Sequence, residues 1–287
     1  MKRIANEPAL PSPAVHARWQ ARLALGFADD RGVTRLVDRS HSGPLRVQKP
    51  LYPEGGEVCH AIVVHPPGGV VGGDELAIEV RADAGAHALL TTPGAAKWYK
   101  ANGRIARQQV TIAAAERAGV EWLPQEAIFF DAAQVELEHE VELAPDATYI
   151  GWDILCFGRT AAGEKFASGS VAQRTSIRRG GKLLWFEQGA LAADGSAMQG
   201  PLGLAGKTVC ATLIGVGPVL PAAVLAAIRA LDAGNGMFGA TQMKSVLVAR
   251  YLGDSSEHAR QLMTQAWRLV RPLLGGREAV VPRIWNT

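Results

Sequence analysis

The chain has 287 residues, 48% of them hydrophobic, which is enough to bury a large core in one sizeable domain or two small ones. Its 30 basic and 27 acidic residues leave a formal charge of only +3, so no strongly basic surface points to nucleic acid. Three cysteines, Cys59, Cys156 and Cys210, are too few and too scattered for a disulfide framework and favour a reducing compartment.

The first stretch, "MKRIANEPALPSPAV", carries Pro8, Pro11 and Pro13 where a signal peptide needs an apolar run, and residues 1–14 read as a loose leader. Residues 15–27 then place Val15, Ala17, Trp19, Ala21, Leu23, Leu25 and Phe27 on alternate positions, the period of a half-buried strand. Similar runs follow at "EVCHAIVVH", "LAIEVRA", "AHALLTT", "IARQQVTIA", "QVELEHEVEL", "TYIGWDILCF" and "VAQRTSIR", with turn residues between most of them. Many short strands at close spacing indicate a sandwich, a barrel or a β-helical stack.

Residues 209–228 carry no charge and could span a bilayer by length, but Gly215, Gly217, Pro218 and Pro221 interrupt them. A buried strand ending near Val216, a turn, and a helix over 221–233 with Pro221 in its first turn is the better reading. A second helix is expected over 255–270, where Ala259, Leu262, Met263, Ala266, Leu269 and Val270 recur at three and four. Asp254 with Glu257 resembles a capping box there, and Pro272 and Gly275 are expected to stop the helix. The tail "AVVPRIW" reads as extended. With no repeat of fixed period and no low-complexity linker, residues 1–287 are taken as one domain.

The glycine-rich segment "HPPGGVVGGD", residues 65–74, fails as a phosphate cradle. Its last glycine precedes Asp74 and Glu75 rather than Lys-Ser/Thr, and a strand rather than a helix follows. The glycines suit a connection between strands, where positive φ and close backbone approach are needed. Cys59, His60 and His65 are soft-ligand types close together, but alternation sends Cys59 and His60 to opposite faces, and two ligands do not close a zinc site. The stripe Glu136, Glu138, Glu140 and Glu142 gives one strand an acidic face, either simply wet or attracting divalent ions. The tryptophans read as core residues rather than base-stacking platforms. Ser168 and Ser170 lack the G-x-S-x-G context and no H-E-x-x-H occurs, whereas paired carboxylates for acid–base work remain open.

Taken together, "HPPGGVVGGD", "LLTTPGAAKWYKANG", "EWLPQEAIFFDAAQ", "GWDILCFGR" with "GEKF" after it, and the terminal "PRIW" resemble the urease accessory protein D family, called UreD or UreH. The resemblance runs from about residue 15 to the end, with the blocks in family order. His65 stands where asparagine is common, and Ala96, Trp98 and Lys100 where Thr, Phe and Arg are.

The resemblance implies a mainly β, β-helical stack with two C-terminal α-helices and a non-enzymatic role in the cytoplasm. It implies a scaffold that joins accessory proteins UreF and UreG to apo-urease, and it leaves open a dimeric assembly through UreF. Nickel would be in transit rather than tightly bound, with GTP held by UreG and a water-filled passage through this protein as the route. The acids within the family blocks, Asp74, Glu126, Asp131, Asp153 and Glu164, are then the candidate nickel-route residues. Each could equally cap a turn or pair with Arg159, Lys97 or Arg174. The alternative function is a β-sheet-rich hydrolase using two of the same carboxylates.

Overall fold

The computed structural model describes residues 19–286, so the expected leader, Val15 and Ala17 lie outside the described residues. The chain starts with an antiparallel pair, β1 (Gln20–Asp30) and β2 (Val33–Ser42), then a short β3 (Arg46–Val47) and the buried β4 (Val58–Val64). Three successive coils follow. The first is β5 (Glu75–Ala82), β6 (His87–Thr91) and β7 (Ala96–Trp98), and the second is β8 (Ala106–Ala114), β9 (Gly119–Leu123) and β10 (Ala127–Phe129). The third is β11 (Gln134–Leu143) and β12 (Thr148–Phe157), the latter long enough to cover two sides of the coil.

Each coil stacks in parallel on the one before. Glu75 stands opposite Arg107, and Arg107 opposite Glu136; His87 stands opposite Gly119, and Gly119 opposite Thr148. The sequence conceals this repeat because the coils differ in length. A hairpin, β13 (Ser170–Arg179) and β14 (Lys182–Ala192), a single helical turn α1 (Ser196–Gln199), and β15 (Val209–Val216) come next. The chain ends with α2 (Ala222–Arg229), β16 (Met237–Met243), β17 (Val246–Gly253) and α3 (Ser256–Leu274).

The result is a β-solenoid-like stack of two facing sheets. One has seven strands in the order β14-β13-β11-β8-β5-β1-β2; the other runs β16-β17-β15-β12-β9-β6-β4-β3, with β10 and β7 attached beside β12. Side chains alternate across each strand, so one core lies between the sheets and a second lies between the longer sheet and α3. β12 is buried on both faces: Tyr149, Leu155 and Phe157 enter the first core, and Ile150, Trp152 and Ile154 the second. Among the described residues no helix is long and apolar enough to cross a membrane, and residues 209–228 form the strand, turn and helix expected of them.

Several local expectations change. Trp19, predicted on the buried face of the first strand, is 51% exposed, whereas Trp98, Trp122, Trp152, Trp267 and Trp285 are buried. Pro221 is the N-cap of α2 rather than in its first turn, and the helix ends at Arg229, short of 233. The cap of α3 is Ser255, whose hydroxyl accepts from the His258 amide at 3.1 Å. Asp254, expected there, bonds Lys207 and Thr208 instead. Pro272 does not stop α3. A proline inside a helix costs about 3 kcal/mol, and burying Trp267, Val270 and Leu274 in the last two turns outweighs it. The tail forms no strand among the described residues. It ends in a 3-10 turn, Arg283–Asn286, anchored by the Trp285 indole, which donates to Thr91 Oγ1 at 2.8 Å.

Candidate functional site: a polar seam between the sheets

The glycine loop is a backbone device. Gly73 has φ of 97°, in the left-handed region. A Cβ on Gly72 would meet the Ala101 carbonyl oxygen at 1.9 Å, and one on Gly69 the Lys97 carbonyl oxygen at 2.7 Å. The loop is therefore laid directly against the next coil. Asp74, 5% exposed, accepts from the amides of Val71 (3.0 Å) and Trp19 (3.4 Å), which fixes the turn into β5.

The other candidate acids fall in three places. Asp131 and Glu164 are neighbours. Asp131 accepts from the amides of Ala167 and Ser168, while Glu164 accepts from the Asp131 amide and pairs with Arg159. Glu126 pairs with Arg260 of α3 at 3.3 Å. Asp153 differs from all of these, because its parity on β12 points it between the sheets. Among the described residues no group of three or more His, Cys, Asp or Glu side chains is set to hold a metal ion. Cys59 enters the inner core and His60 turns outward to Glu54, as alternation requires. The Glu136–Glu142 stripe is laced to Arg107 and Arg174 on the flanking strands, and Glu142 accepts from the Gly181 amide.

Around Asp153, three polar bridges cross from one sheet to the other. Tyr149 on β12 bonds His139 on β11 at 2.8 Å, Gln173 on β13 donates to Asp153 at 2.9 Å, and Arg250 on β17 donates to Glu187 on β14 at 2.7 Å. They run from buried core to exposed rim. Thr212 of β15 lies between Asp153 and Arg250 in the register, and Cys210 lies opposite Leu155. Asp153 lines two sizeable cavities, one of about 620 Å³ toward β14 and β16, the other of about 230 Å³ toward the glycine loop.

The electrostatics follow from burial. Burial raises the Asp153 carboxyl to about 6; the Gln173 bond opposes that rise and the nearby Glu187 charge adds to it. Burial pushes the His139 imidazole down to about 4, so its bridge to Tyr149 is neutral at pH 7. Burial, with the Asp153 and Glu187 charges, pushes the Cys210 thiol up to about 12. The seam therefore offers one titrating carboxylate among neutral amide and hydroxyl ligands, with an ion pair at its rim. That is a weak, hard-oxygen environment for a cation, not a closed cage.

Sequence reasoning identified Asp153 but missed Gln173, Glu187, Thr212 and Arg250. A signal existed for Gln173, which occupies the same alternate positions as the core residues Val171 and Ile177. It also missed a buried ion network on the opposite face of the longer sheet. There Arg271, 0% exposed, donates to Glu121 at 2.9 Å and to both oxygens of Glu54 at 2.6 and 2.8 Å, with His87 and Trp267 completing Glu121. Burial would raise Glu54, but bonds from His60 and Arg271 outweigh it and hold the carboxyl at about 2.

The sequence is similar to known proteins over nearly all of its length. A family model described as UreD urease accessory protein matches residues 20–286. A urease accessory protein UreD of Janthinobacterium sp. (strain Marseille) is 65% identical over 271 residues, covering 93% of this chain and 92% of that protein. Those of Nitrosospira multiformis and Pseudomonas aeruginosa are 56% and 48% identical, covering 93% and 97% of this chain and 98% and 99% of their own. With the match extending from β1 to the terminal Trp285 turn, the chain belongs to the UreD family of urease accessory proteins.

Proposed function

We propose that this protein is a non-enzymatic scaffold of urease maturation that binds apo-urease, UreF and UreG in the cytoplasm and passes nickel through its interior. Nickel is cargo on this reading, and GTP stays with UreG. The observation that carries it is Asp153, a carboxylate placed between two cavities and bridged to the facing sheet. A cation entering there meets one full charge plus amide and hydroxyl dipoles, enough to replace part of its hydration shell without trapping it. Above pH 6 the carboxylate is ionised, and a cation offsets the cost of keeping that charge buried.

The mouth of the larger cavity also suits a scaffold. Met237 and Leu202, 54% and 102% exposed, line it, and Leu183 and Phe186 are exposed on the neighbouring edge strand β14. Exposed apolar clusters beside unpaired strand edges are where partner chains dock.

The test is Asp153→Asn, which keeps the shape and the Gln173 contact but removes the charge. Urease activated with this variant should bind several-fold less nickel, reflecting a loss on the order of 1 kcal/mol or more at the station. Pull-down of UreF and apo-urease should be unchanged. Normal nickel loading would sink the passage reading, and lost pull-down would assign Asp153 to fold or interface.

A further inference from the structure

The smaller cavity has a chemistry of its own that cation transit does not use. Three connections bring its wall together: the loop after β4 supplies His65 and Gly69, the β6–β7 connection Thr92, and the β9–β10 connection Gln125, with Trp98 from β7 beside them. Two side chains on that wall each carry a buried donor with no hydrogen-bond partner, Nε1 of Trp98 and Nε2 of Gln125. Their residues are only 1% and 8% exposed. An indole N–H can only donate, and so can an amide nitrogen, so neither can ligate a cation. Burial lowers the His65 pKa, opposed by the Asp74 charge, so the imidazole on the same wall is neutral at pH 7 and adds no cationic charge there.

Buried donors without partners are rare because each forfeits its hydration. Two on one small, largely apolar cavity indicate that something bearing acceptor oxygens completes them. Hydrogen bonds to an ionised acceptor are roughly twice as strong as neutral ones. At about 230 Å³ the cavity is smaller than the usual pocket for a drug-sized ligand and suits an ion of few heavy atoms.

We propose that the smaller cavity is a binding site for a small carboxylate- or carbonate-type oxyanion, held by the Trp98 indole N–H and the Gln125 amide. This site does not depend on the passage reading, and one residue separates the two. Asp153 shares the cavity wall and repels an anion when ionised. Asp153→Asn therefore tightens the oxyanion while it weakens the nickel route.

The full-length chain, alone or bound to its accessory partners, is labelled with 5-fluorotryptophan and titrated in separate arms with sodium formate, acetate, bicarbonate and neutral acetamide. The Trp98 ¹⁹F resonance is assigned from its loss in Trp98→Phe, and affinities are read by calorimetry. The expected result is a saturable shift at Trp98 with the anions, about tenfold weaker binding of acetamide, weaker acetate binding in Trp98→Phe and Gln125→Leu, and tighter binding in Asp153→Asn. Circular dichroism and melting curves certify that each variant is folded. No saturable shift at Trp98, acetamide binding as tightly as acetate, or folded Trp98→Phe and Gln125→Leu proteins with unchanged affinity would each overturn the site.

Discussion

Asp153 carries an energetic cost that its neighbours do not cancel. In the folded protein it holds its proton to about pH 6, whereas its ordinary value is 3.8. Between those values the folded state binds more protons than the unfolded one, so this group's contribution to stability falls as pH rises through the window. The full penalty persists above it. Asp153→Asn should therefore stabilise the fold at pH 7.5 by about 1–2 kcal/mol, discounted for contact with cavity solvent, and the gain should fade toward pH 4. Melting curves of both proteins at the two pH values check this; an equal gain at both, or a loss at pH 7.5, contradicts it. A residue that weakens the fold fits a functional site better than a structural one. At this scale the sequence was partly legible. Asp153 is the one charge in "TYIGWDILCF", and alternation gives its face. Glu187 and Arg250 were not legible, because the two residues, 63 positions apart in sequence, meet only when the two sheets are brought together.

Two elements depend on contacts that no local pattern announces. Helix α3 is held by Arg271, which forks between Glu121 and Glu54 beneath the helix. Arg271→Met leaves both buried carboxylates without their shared guanidinium, with only His60 and His87 beside them, and should cost about 3–5 kcal/mol in chemical denaturation. Arg271→Lys should recover little of it, since one ammonium cannot reproduce the two-sided fork. A cost near zero for Arg271→Met would show the network to be dispensable. The heptad-like spacing of Ala259, Leu262, Met263 and Ala266 made the helix legible, but its passage through Pro272 was not, because tertiary burial decides it. The glycine loop is the second case. Gly72→Val drives a branched side chain into the Ala101 carbonyl, so it should lower soluble expression and melting temperature sharply. Gly68→Ala, whose nearest neighbour is the Tyr99 hydroxyl at 3.4 Å, should be mild. Comparable behaviour of the two variants would remove the close-approach account. Glycine pairs were readable as backbone punctuation; which one needs positive φ and which needs space was not.

Across the whole molecule, the eight strand runs read from alternation reappear as β1, β4, β5, β6, β8, β11, β12 and β13. Three of the missed strands have physical reasons. β2 is a charged edge strand, β9 is only five residues with Glu121 turned to α3, and β14 is largely exposed on both faces, so none shows clean alternation. Stacking coils of unequal length makes an interior with a lengthwise seam, and a seam of this kind can transmit a cation only while it stays open. Gly189 and Gly239 both line the larger cavity, and a Cβ at either meets nothing within 4 Å. Gly189→Phe should therefore fill the cavity without disturbing the backbone. The decisive measurement is nickel bound per urease after activation with Gly189→Phe, alongside pull-down of UreF and apo-urease. The account predicts intact assembly with nickel loading reduced several-fold, and full loading by a folded, assembled Gly189→Phe protein would contradict it.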